Sequence, residues 1–268
     1  MNSIQITIEA TEEQQEILVS ELADLQAEGF EQTENCLIVY FKEILFRSYE
    51  VNDVLKNYSF TIHTIEEKNW NEVWESNFQP VIVDRFCAIR AEFHEPINDV
   101  AHEIIITPKM SFGTGHHATT YMMIQQMKQI DFTNKTVFDF GTGTGILAIL
   151  AEKLGAKKID AIDVDGWSIT NAKENILRNE CAKISITLST NIPNSKYDVI
   201  LANINRNVIL DYLSLLNERL RENSYLLLSG LLVPDQKDII EACEREKLVL
   251  LKHVERNNWL SLLLFNRR

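Results

Sequence analysis

The sequence has few cysteines and no long apolar run. Its cysteines form no CxxC pair and are scattered along the chain: Cys36, Cys87, Cys181 and Cys243. Small buried thiols in a reducing compartment are therefore expected, with no disulfide and no metal site. No apolar stretch approaches the roughly 18 residues of a membrane span, and the first residues lack the basic and apolar segments of a secretory signal. These absences predict a cytoplasmic protein without a membrane partner.

Positive charge is scarce in the first third of the chain. Residues 1–95 contain 6 lysines and arginines against 19 acidic residues, whereas residues 96–268 contain 20 of each. The entire net charge of −13 therefore lies in residues 1–95. An acidic surface repels nucleic-acid phosphates and disfavours a nucleic-acid groove there. It suits a basic protein partner, and it equally suits a solvated face that keeps the protein soluble.

The first 65 residues predict the element order β-α-β-β-α-β. Ile4, Ile6 and Ile8 alternate as on one face of a strand, and Thr11 with Gln14 is placed to form a capping box. The further predicted elements are strands near Phe30–Gln32 and Cys36–Phe41, a helix over Ser48–Asn57 and a strand over Tyr58–Ile65. This order is typical of a small ferredoxin-like α+β domain. We assign residues 1–66 to this domain and residues 67–80 to an aromatic-rich helical linker.

From about residue 100, predicted strands alternate with predicted helices. The strands cover Val137–Phe140, Lys158–Ile162, Tyr197–Ala202 and Tyr225–Ser229. The helices begin near Thr119, Gly145, Trp167, Asn207 and Asp235. The last two predicted strands, Val249–Val254 and Trp259–Phe265, are consistent with an edge hairpin. Residues 81–268 are therefore predicted to form a doubly wound α/β sheet with a C-terminal antiparallel hairpin.

A glycine-rich turn follows the first of these strands. Gly141, Gly143 and Gly145 lie between an apolar strand and an apolar helix, and glycine allows a ligand to approach the backbone closely because it has no Cβ. A dinucleotide fingerprint would need a small third residue where this chain has Ile146. The GxGxG spacing instead matches the corresponding turn of methyltransferases. A plain structural turn is the alternative.

An acid stands at the end of the next predicted strand. Asp163 follows Gly141 by 22 residues, and a carboxylate at this position accepts hydrogen bonds from both hydroxyls of a ribose. Enzymes that bind NAD share this device, so Asp163 indicates a nucleoside and not one particular cofactor. Asp165 is better interpreted as a helix N-cap.

An asparagine ends the strand that contains Ala202. Asn203 occupies a position at which enzymes that methylate amines often have Asn or Asp. Methyl transfer needs a neutral amine, whereas a lysine in water has a pKa of about 10.4. A neutral side-chain carbonyl can accept a hydrogen bond from the amine and direct its lone pair, and a carboxylate would tend to retain the proton. The alternative is a residue that only forms a turn.

A polar loop precedes the helix near Thr119. It includes two glycines, paired histidines and paired threonines within residues 107–120. By itself this pattern is compatible with a lid, a metal site or a phosphate-binding loop. Adjacent histidines point in opposite directions, which disfavours metal binding.

Together these segments resemble one family, the methyltransferases that modify bacterial large-subunit ribosomal protein eleven. Its FGTGxHxTT loop matches Phe112–Thr120, its DxGxGxGIL element matches Asp139–Leu147, and its ANI element matches Ala202–Ile204. Its SGL segment matches Ser229–Leu231, and its WxxxWxxxFxP connector matches residues 70–80. The resemblance extends from about residue 68 to the end of the chain.

The resemblance implies a Rossmann-like class I methyltransferase sheet and S-adenosylmethionine as the cofactor. It places Thr120, Gly141, Asp163 and Asn203 against the cofactor or in its pocket, and Gly143 belongs to the same glycine turn. Asn203 is the candidate catalytic residue.

The resemblance also implies an active-site loop. The candidate loop residues are Phe112, Gly113, Thr114, Gly115 and His117, whereas His116 occupies a variable position. The family usually has Asp-Pro-Gly where this chain has Thr107, Pro108 and Lys109. This departure concerns the loop and leaves the cofactor elements unchanged.

The sequence therefore predicts a monomeric protein N-methyltransferase that acts on lysine, and also on α-amino nitrogens, of a basic ribosomal protein. The acidic first domain is expected to dock this substrate, without direct contact with nucleic acid. One alternative is methylation of another protein or of a small-molecule amine, and another is a catalytically silent scaffold that binds S-adenosylmethionine. Asn203 disfavours the scaffold, the acidic domain disfavours a small molecule, and Ile146 disfavours an NAD dehydrogenase.

Overall fold

The chain divides into two compact units. A computed structural model describes residues 2–65, 78–108 and 113–267, and the units comprise Met1–Val73 and Trp74–Arg268. The division falls within the predicted linker, of which residues 67–77, with Trp70 and Trp74, lie outside the described residues. The limits 1–66, 67–80 and 81–268 stay a prediction. No helix in the described part has the length and apolar character needed to cross a membrane.

The first unit contains one antiparallel sheet and two α-helices. Its elements are β1 (Ser3–Glu9), α1 (Glu12–Asp24), β2 (Gly29–Gln32), β3 (Cys36–Lys42), α2 (Ser48–Val54) and β4 (Phe60–Ile65). The strand order is β2-β3-β1-β4, and each neighbouring pair is antiparallel. Ile4, Ile6 and Ile8 are buried with Leu18 and Leu22 of α1, so the alternation of β1 presents one face to the core.

The second unit begins with a small sheet that the sequence analysis did not identify. It consists of β5 (Val81–Val83), β6 (Cys87–Ala91) and β7 (His102–Ile106), with β5 antiparallel and β7 parallel to β6. Arg90 is buried and donates two hydrogen bonds to the Glu103 carboxylate, at 2.8 and 3.0 Å. These bonds lower the pKa of Glu103, although its burial acts in the opposite direction.

The main sheet has seven strands in the order β10-β9-β8-β11-β12-β14-β13. The strands are β8 (Thr136–Phe140), β9 (Lys158–Asp163), β10 (Ile184–Leu188), β11 (Tyr197–Asn203), β12 (Leu220–Leu232), β13 (Leu248–Arg256) and β14 (Trp259–Asn266). The accompanying helices are α3 (Ala118–Met127), α4 (Ile146–Lys153), α5 (Gly166–Arg178), α6 (Arg206–Arg219) and α7 (Gln236–Arg245). The predicted doubly wound α/β sheet is confirmed, and β10 is an additional strand.

Successive strands of the chain are placed first on one side of β8 in the sheet and then on the other. β9 and β10 lie on one side of β8, and β11 and β12 lie on the other, all parallel. β14 runs antiparallel to β12 and to β13. Apolar side chains pack on both faces of the sheet. At such a reversal the connections leave to opposite faces, so a crevice opens at the carboxyl ends of β8 and β11.

Gly230 allows β12 to pass directly against the residue that follows β11. Gly230 has a φ of +84°, and the register of β12 against β14 shifts between Leu228 and Leu231. A Cβ at Gly230 would overlap the backbone carbonyl of Ile204, whose own N–H donates to the carbonyl of Ser229 at 3.2 Å. This close approach determines where the end of β11 lies.

We therefore predict that Gly230→Ala destabilises the protein by at least about 2 kcal/mol, because it combines a strained φ with a backbone overlap. Urea unfolding measures the difference. Gly166→Ala, at the start of α5, is the matched control, since a Cβ there has no neighbouring atom within 4 Å. Equal midpoints for the two variants would contradict this account of Gly230.

Candidate active site

A cavity of about 390 Å³ opens at the crevice. Gly141, Gly143, Asp163 and Asn203, four of the residues singled out in the sequence, line it together. Its apolar walls come from Phe140, Ile162, Val164, Ile204, Val208 and Tyr212. Its volume and its apolar lining with a few polar groups suit a small molecule.

The glycine turn forms one side of the cavity. Gly141, Gly143 and Gly145 all have positive φ, at +74°, +54° and +80°, a region that favours glycine. A Cβ on Gly141 would overlap the side chain of Ile204. The turn therefore requires glycine for its backbone conformation, and at Gly141 also for the approach of the neighbouring loop.

Asp163 is held in place at the end of β9 by backbone donors. Its Oδ2 accepts from the N–H of Gly143 at 2.8 Å, and its Oδ1 accepts from the N–H of Asp165 at 3.0 Å. An ionised carboxylate offers about four lone-pair positions, so each oxygen can accept one further hydrogen bond. Asp165 caps α5, since its carboxylate accepts from the N–H groups of Trp167 and Ser168.

A second carboxyl lies beneath the turn. Asp139 is buried in β8, and its Oδ2 accepts from the Thr142 hydroxyl at 2.6 Å. Burial raises the pKa of Asp139 to about 7, the charge of Asp163 acts in the same direction, and the hydrogen bond from Thr142 opposes it. The sequence analysis placed Asp139 in the family motif but assigned it no role, and the structure shows it as a buried carboxyl beneath the turn.

Asn203 is oriented by a residue from α3. Its Nδ2 donates to the Oγ1 of Thr120 at 3.3 Å, and both side chains are buried. Its Oδ1 has no hydrogen-bond partner among the described residues. Buried carbonyl oxygens are normally paired, so this Oδ1 is an unused acceptor in a residue that lines the cavity.

The loop before α3 is described from Gly113 onward. Phe112 and Lys109 lie outside the described residues. The Gly113 carbonyl accepts from the Thr144 hydroxyl at 2.6 Å. Gly115 has a φ of +96°, and a Cβ there would overlap the side chain of Ile89. Thr114 lies between these two glycines, so the loop runs from the glycine turn to the sheet that contains β6.

His117 ends this loop and begins α3. Its Nδ1 accepts from the backbone N–H of Thr119 at 3.4 Å and lies 2.7 Å from the Oγ1 of the same residue. Its ring lies edge-on to Trp259, with centroids 4.7 Å apart. Burial lowers the pKa of His117, which favours the neutral ring that this cap requires.

Thr107 has a defined role despite its departure from the family pattern. Its hydroxyl accepts from the Nε of Arg178 at 2.8 Å, and Arg178 also pairs with Glu92. Val208 and Tyr212 of α6, which form part of the cavity wall, were not predicted, because apolar residues in an amphipathic helix carry no separate signal. Within residues 2–65, 78–108 and 113–267, no group of three or more His, Cys, Asp or Glu side chains could hold a metal ion.

Comparisons with known proteins show the family of this chain. The family model described as ribosomal protein L11 methyltransferase (PrmA) matches residues 2–267. A protein of this name from Porphyromonas gingivalis is 40% identical over 262 residues, which cover 92% of this chain and 89% of the relative. One from Chlorobaculum tepidum is 36% identical, covering 98% and 96%. The crystal structure of a ribosomal protein L11 methylase from Lactobacillus delbrueckii subsp. bulgaricus superposes with a TM-score of 0.65 at 28% identity, over 71% of this chain and 99% of that chain. The chain belongs to the ribosomal protein L11 methyltransferase (PrmA) family.

Proposed function

We propose that this S-adenosylmethionine-dependent methyltransferase transfers methyl groups to lysine ε-amino groups, and to α-amino groups, of ribosomal protein L11. Relatives that match nearly the whole chain are named for this substrate. The observation that carries the amine chemistry is the buried Oδ1 of Asn203, which lacks a partner among the described residues. We further propose that the enzyme acts in the cytoplasm as a monomer, without contact with nucleic acid or membrane.

The residues of the cavity fit the cofactor. The glycine turn leaves room beside Gly141 and Gly143, and Asp163 retains acceptor positions for the two ribose hydroxyls. Val164 and Ile162 supply apolar surface for a base next to that carboxylate. Bound S-adenosylmethionine supplies a methyl group on a positively charged sulfur. The chain itself then only has to orient the acceptor amine and keep it neutral.

Asn203 is suited to orient that amine. Because its Nδ2 is engaged by Thr120, its Oδ1 is the atom left to accept a hydrogen bond from the amine. This bond directs the nitrogen lone pair away from Asn203. An amide oxygen carries no full charge, so it stabilises the protonated amine less than a carboxylate would. In this proposal Gly113, Thr114, Gly115 and His117 form the loop beside the acceptor amine, and Phe112 is assigned to the same loop from the sequence alone.

We predict that Asp163→Ala weakens S-adenosylmethionine binding at least roughly tenfold, because hydrogen bonds to a charged acceptor contribute about 1.5–3 kcal/mol each. Isothermal titration calorimetry measures the affinity, and circular dichroism confirms the fold. Asp99→Ala, which removes an exposed carboxylate outside the cavity, is the matched control and should bind normally. Tight binding of NAD with no binding of S-adenosylmethionine would refute the cofactor placement.

Substitutions of Asn203 test the amine chemistry. Asn203→Ala should lower kcat more than it lowers stability, since the lost hydrogen bond orients the amine. Asn203→Asp should move the rate optimum to higher pH, because the added negative charge raises the pKa of the acceptor amine. Initial rates across pH and urea unfolding separate the two effects. Wild-type rates in both variants would show that Asn203 is only structural.

We also propose that the first unit is a ferredoxin-like domain that docks the basic substrate, and that β13 and β14 form the C-terminal antiparallel hairpin of the catalytic domain. The β2-β3-β1-β4 order with two helices supports the first assignment, and the pairing of β13 with β14 supports the second. Four exposed acids, Glu9, Glu12, Glu13 and Glu34, surround the junction of β1 and α1.

Neutralising these acids tests the docking role. We expect the Glu→Gln change at all four positions to lower kcat/KM for L11 roughly tenfold at low salt and to flatten its salt dependence, because opposite charge mainly accelerates encounter. S-adenosylmethionine binding should be unchanged. The control carries the same change in net charge at four exposed acids of the second unit: Glu180, Glu222, Glu241 and Glu244. If both quadruple variants behave alike, the charge of the first unit is a solubility feature and methylation of another amine gains support.

A further inference from the structure

Helix α5 holds the strand that leads into the active-site loop through two asparagine side chains. Asn179, which caps the C-terminal end of α5, accepts from the N–H of Ile105 at 3.0 Å and donates to its carbonyl at 2.6 Å. One turn earlier, Asn175 accepts from the N–H of Thr107 at 2.8 Å. Four helical residues rise about 6 Å and two extended residues about 6.6 Å. The two asparagine side chains therefore match Ile105 in β7 and Thr107 just after it.

Asn175 additionally reaches the glycine turn. Its Nδ2 donates to the backbone carbonyl of Thr144 at 2.8 Å, and its side chain is fully buried. Thr144 is also fully buried, and its hydroxyl donates to the Gly113 carbonyl at 2.6 Å. The turn is therefore tied to the loop before α3 at two points: at Thr107 through the amide of Asn175, and at Gly113 through the hydroxyl of Thr144.

These contacts continue to Asn203, the proposed hydrogen-bond acceptor for the substrate amine. The loop that begins at Gly113 ends at His117, which caps α3. Thr120 in the first turn of α3 accepts from Asn203. A continuous set of hydrogen bonds and backbone thus connects the turn beside the cofactor cavity to the side chain that would orient the amine.

We infer that Thr144 and Asn175 are positioning residues for methyl transfer, because they fix the amine side of the site relative to the glycine turn. The inference rests on the proposed function, in which the turn binds S-adenosylmethionine and the loop faces the amine. Neither residue touches the reacting atoms. Through these contacts, binding of S-adenosylmethionine at the glycine turn also orders residues 113–119.

Matched substitutions isolate each hydrogen bond. Thr144→Val removes the hydroxyl with little change of shape, whereas Thr144→Ser retains it. Asn175→Asp keeps the acceptor for Thr107 and replaces the donor to Thr144 with a second acceptor. Asn179→Asp makes the same chemical change one turn away, where it faces Ile105 and not the glycine turn.

Hydrogen–deuterium exchange with and without S-adenosylmethionine supplies a readout independent of activity. In the wild type and in Thr144→Ser and Asn179→Asp, we expect the cofactor to slow exchange both at residues 141–145 and at residues 113–119. In Thr144→Val and Asn175→Asp, protection should persist at the turn and fall roughly tenfold at residues 113–119, as a buried hydrogen bond is lost. In these two variants kcat for L11 should fall by a similar factor, while cofactor affinity changes less than roughly threefold.

Three other outcomes would each refute either the cofactor placement or the positioning role. If the cofactor protects neither segment of the wild type, the proposed placement of S-adenosylmethionine is wrong. If it protects both segments equally in Thr144→Val and in the wild type, the placement stands and the positioning role is refuted. If Thr144→Val and Asn179→Asp lower the melting temperature and kcat to the same extent, the contacts only stabilise the fold, and the inference is likewise overturned.

Discussion

The reversal of strand order beside β8 is the constraint on which the site depends. Parallel strands added on both sides of β8 send their connections to opposite faces of the sheet, and the carboxyl ends of β8 and β11 are left uncovered between them. The glycine turn follows β8, Asp163 ends β9 and Asn203 ends β11. All three line this one crevice. The apolar packing on both faces of the sheet holds the strand ends in register.

Hydrogen bonds from backbone and side-chain donors hold the carboxylates of the crevice in place. Asp163 accepts from two backbone N–H groups. The buried Asp139 accepts from Thr142 at its Oδ2, whereas its Oδ1 has no partner among the described residues. The Oδ1 of Asn203 also lacks a partner among the described residues, but Asn203, unlike Asp139, lines the cavity. Buried acceptors are usually paired, so an unused acceptor in a residue that lines the cavity is the most informative feature of the site.

The net charge and the cavity lie in different parts of the chain. The acids that give the chain its net charge lie within residues 1–95, and the polar groups of the cavity lie beyond residue 138. Charge on a surface influences encounter over about 8 Å at physiological salt, whereas orientation of an amine needs contacts of about 3 Å. The proposed docking and the proposed methyl transfer therefore use separate parts of the chain.

The sequence by itself determined the residues at the strand ends. Apolar runs that end in Gly141, Asp163 or Asn203 are local signals, and the parallel sheet brings such ends together without further information. The small sheet of β5–β7 and the strand β10 were missed, since three to five residues give little periodicity. Only the tertiary structure decided that Thr120 orients Asn203, that Asp139 accepts from Thr142 beneath the turn, and that Asn175 joins Thr107 to Thr144. The contacts of Asn203 and Asn175 connect residues 31 to 83 positions apart, and no local pattern specifies which buried polar groups will meet across such a distance.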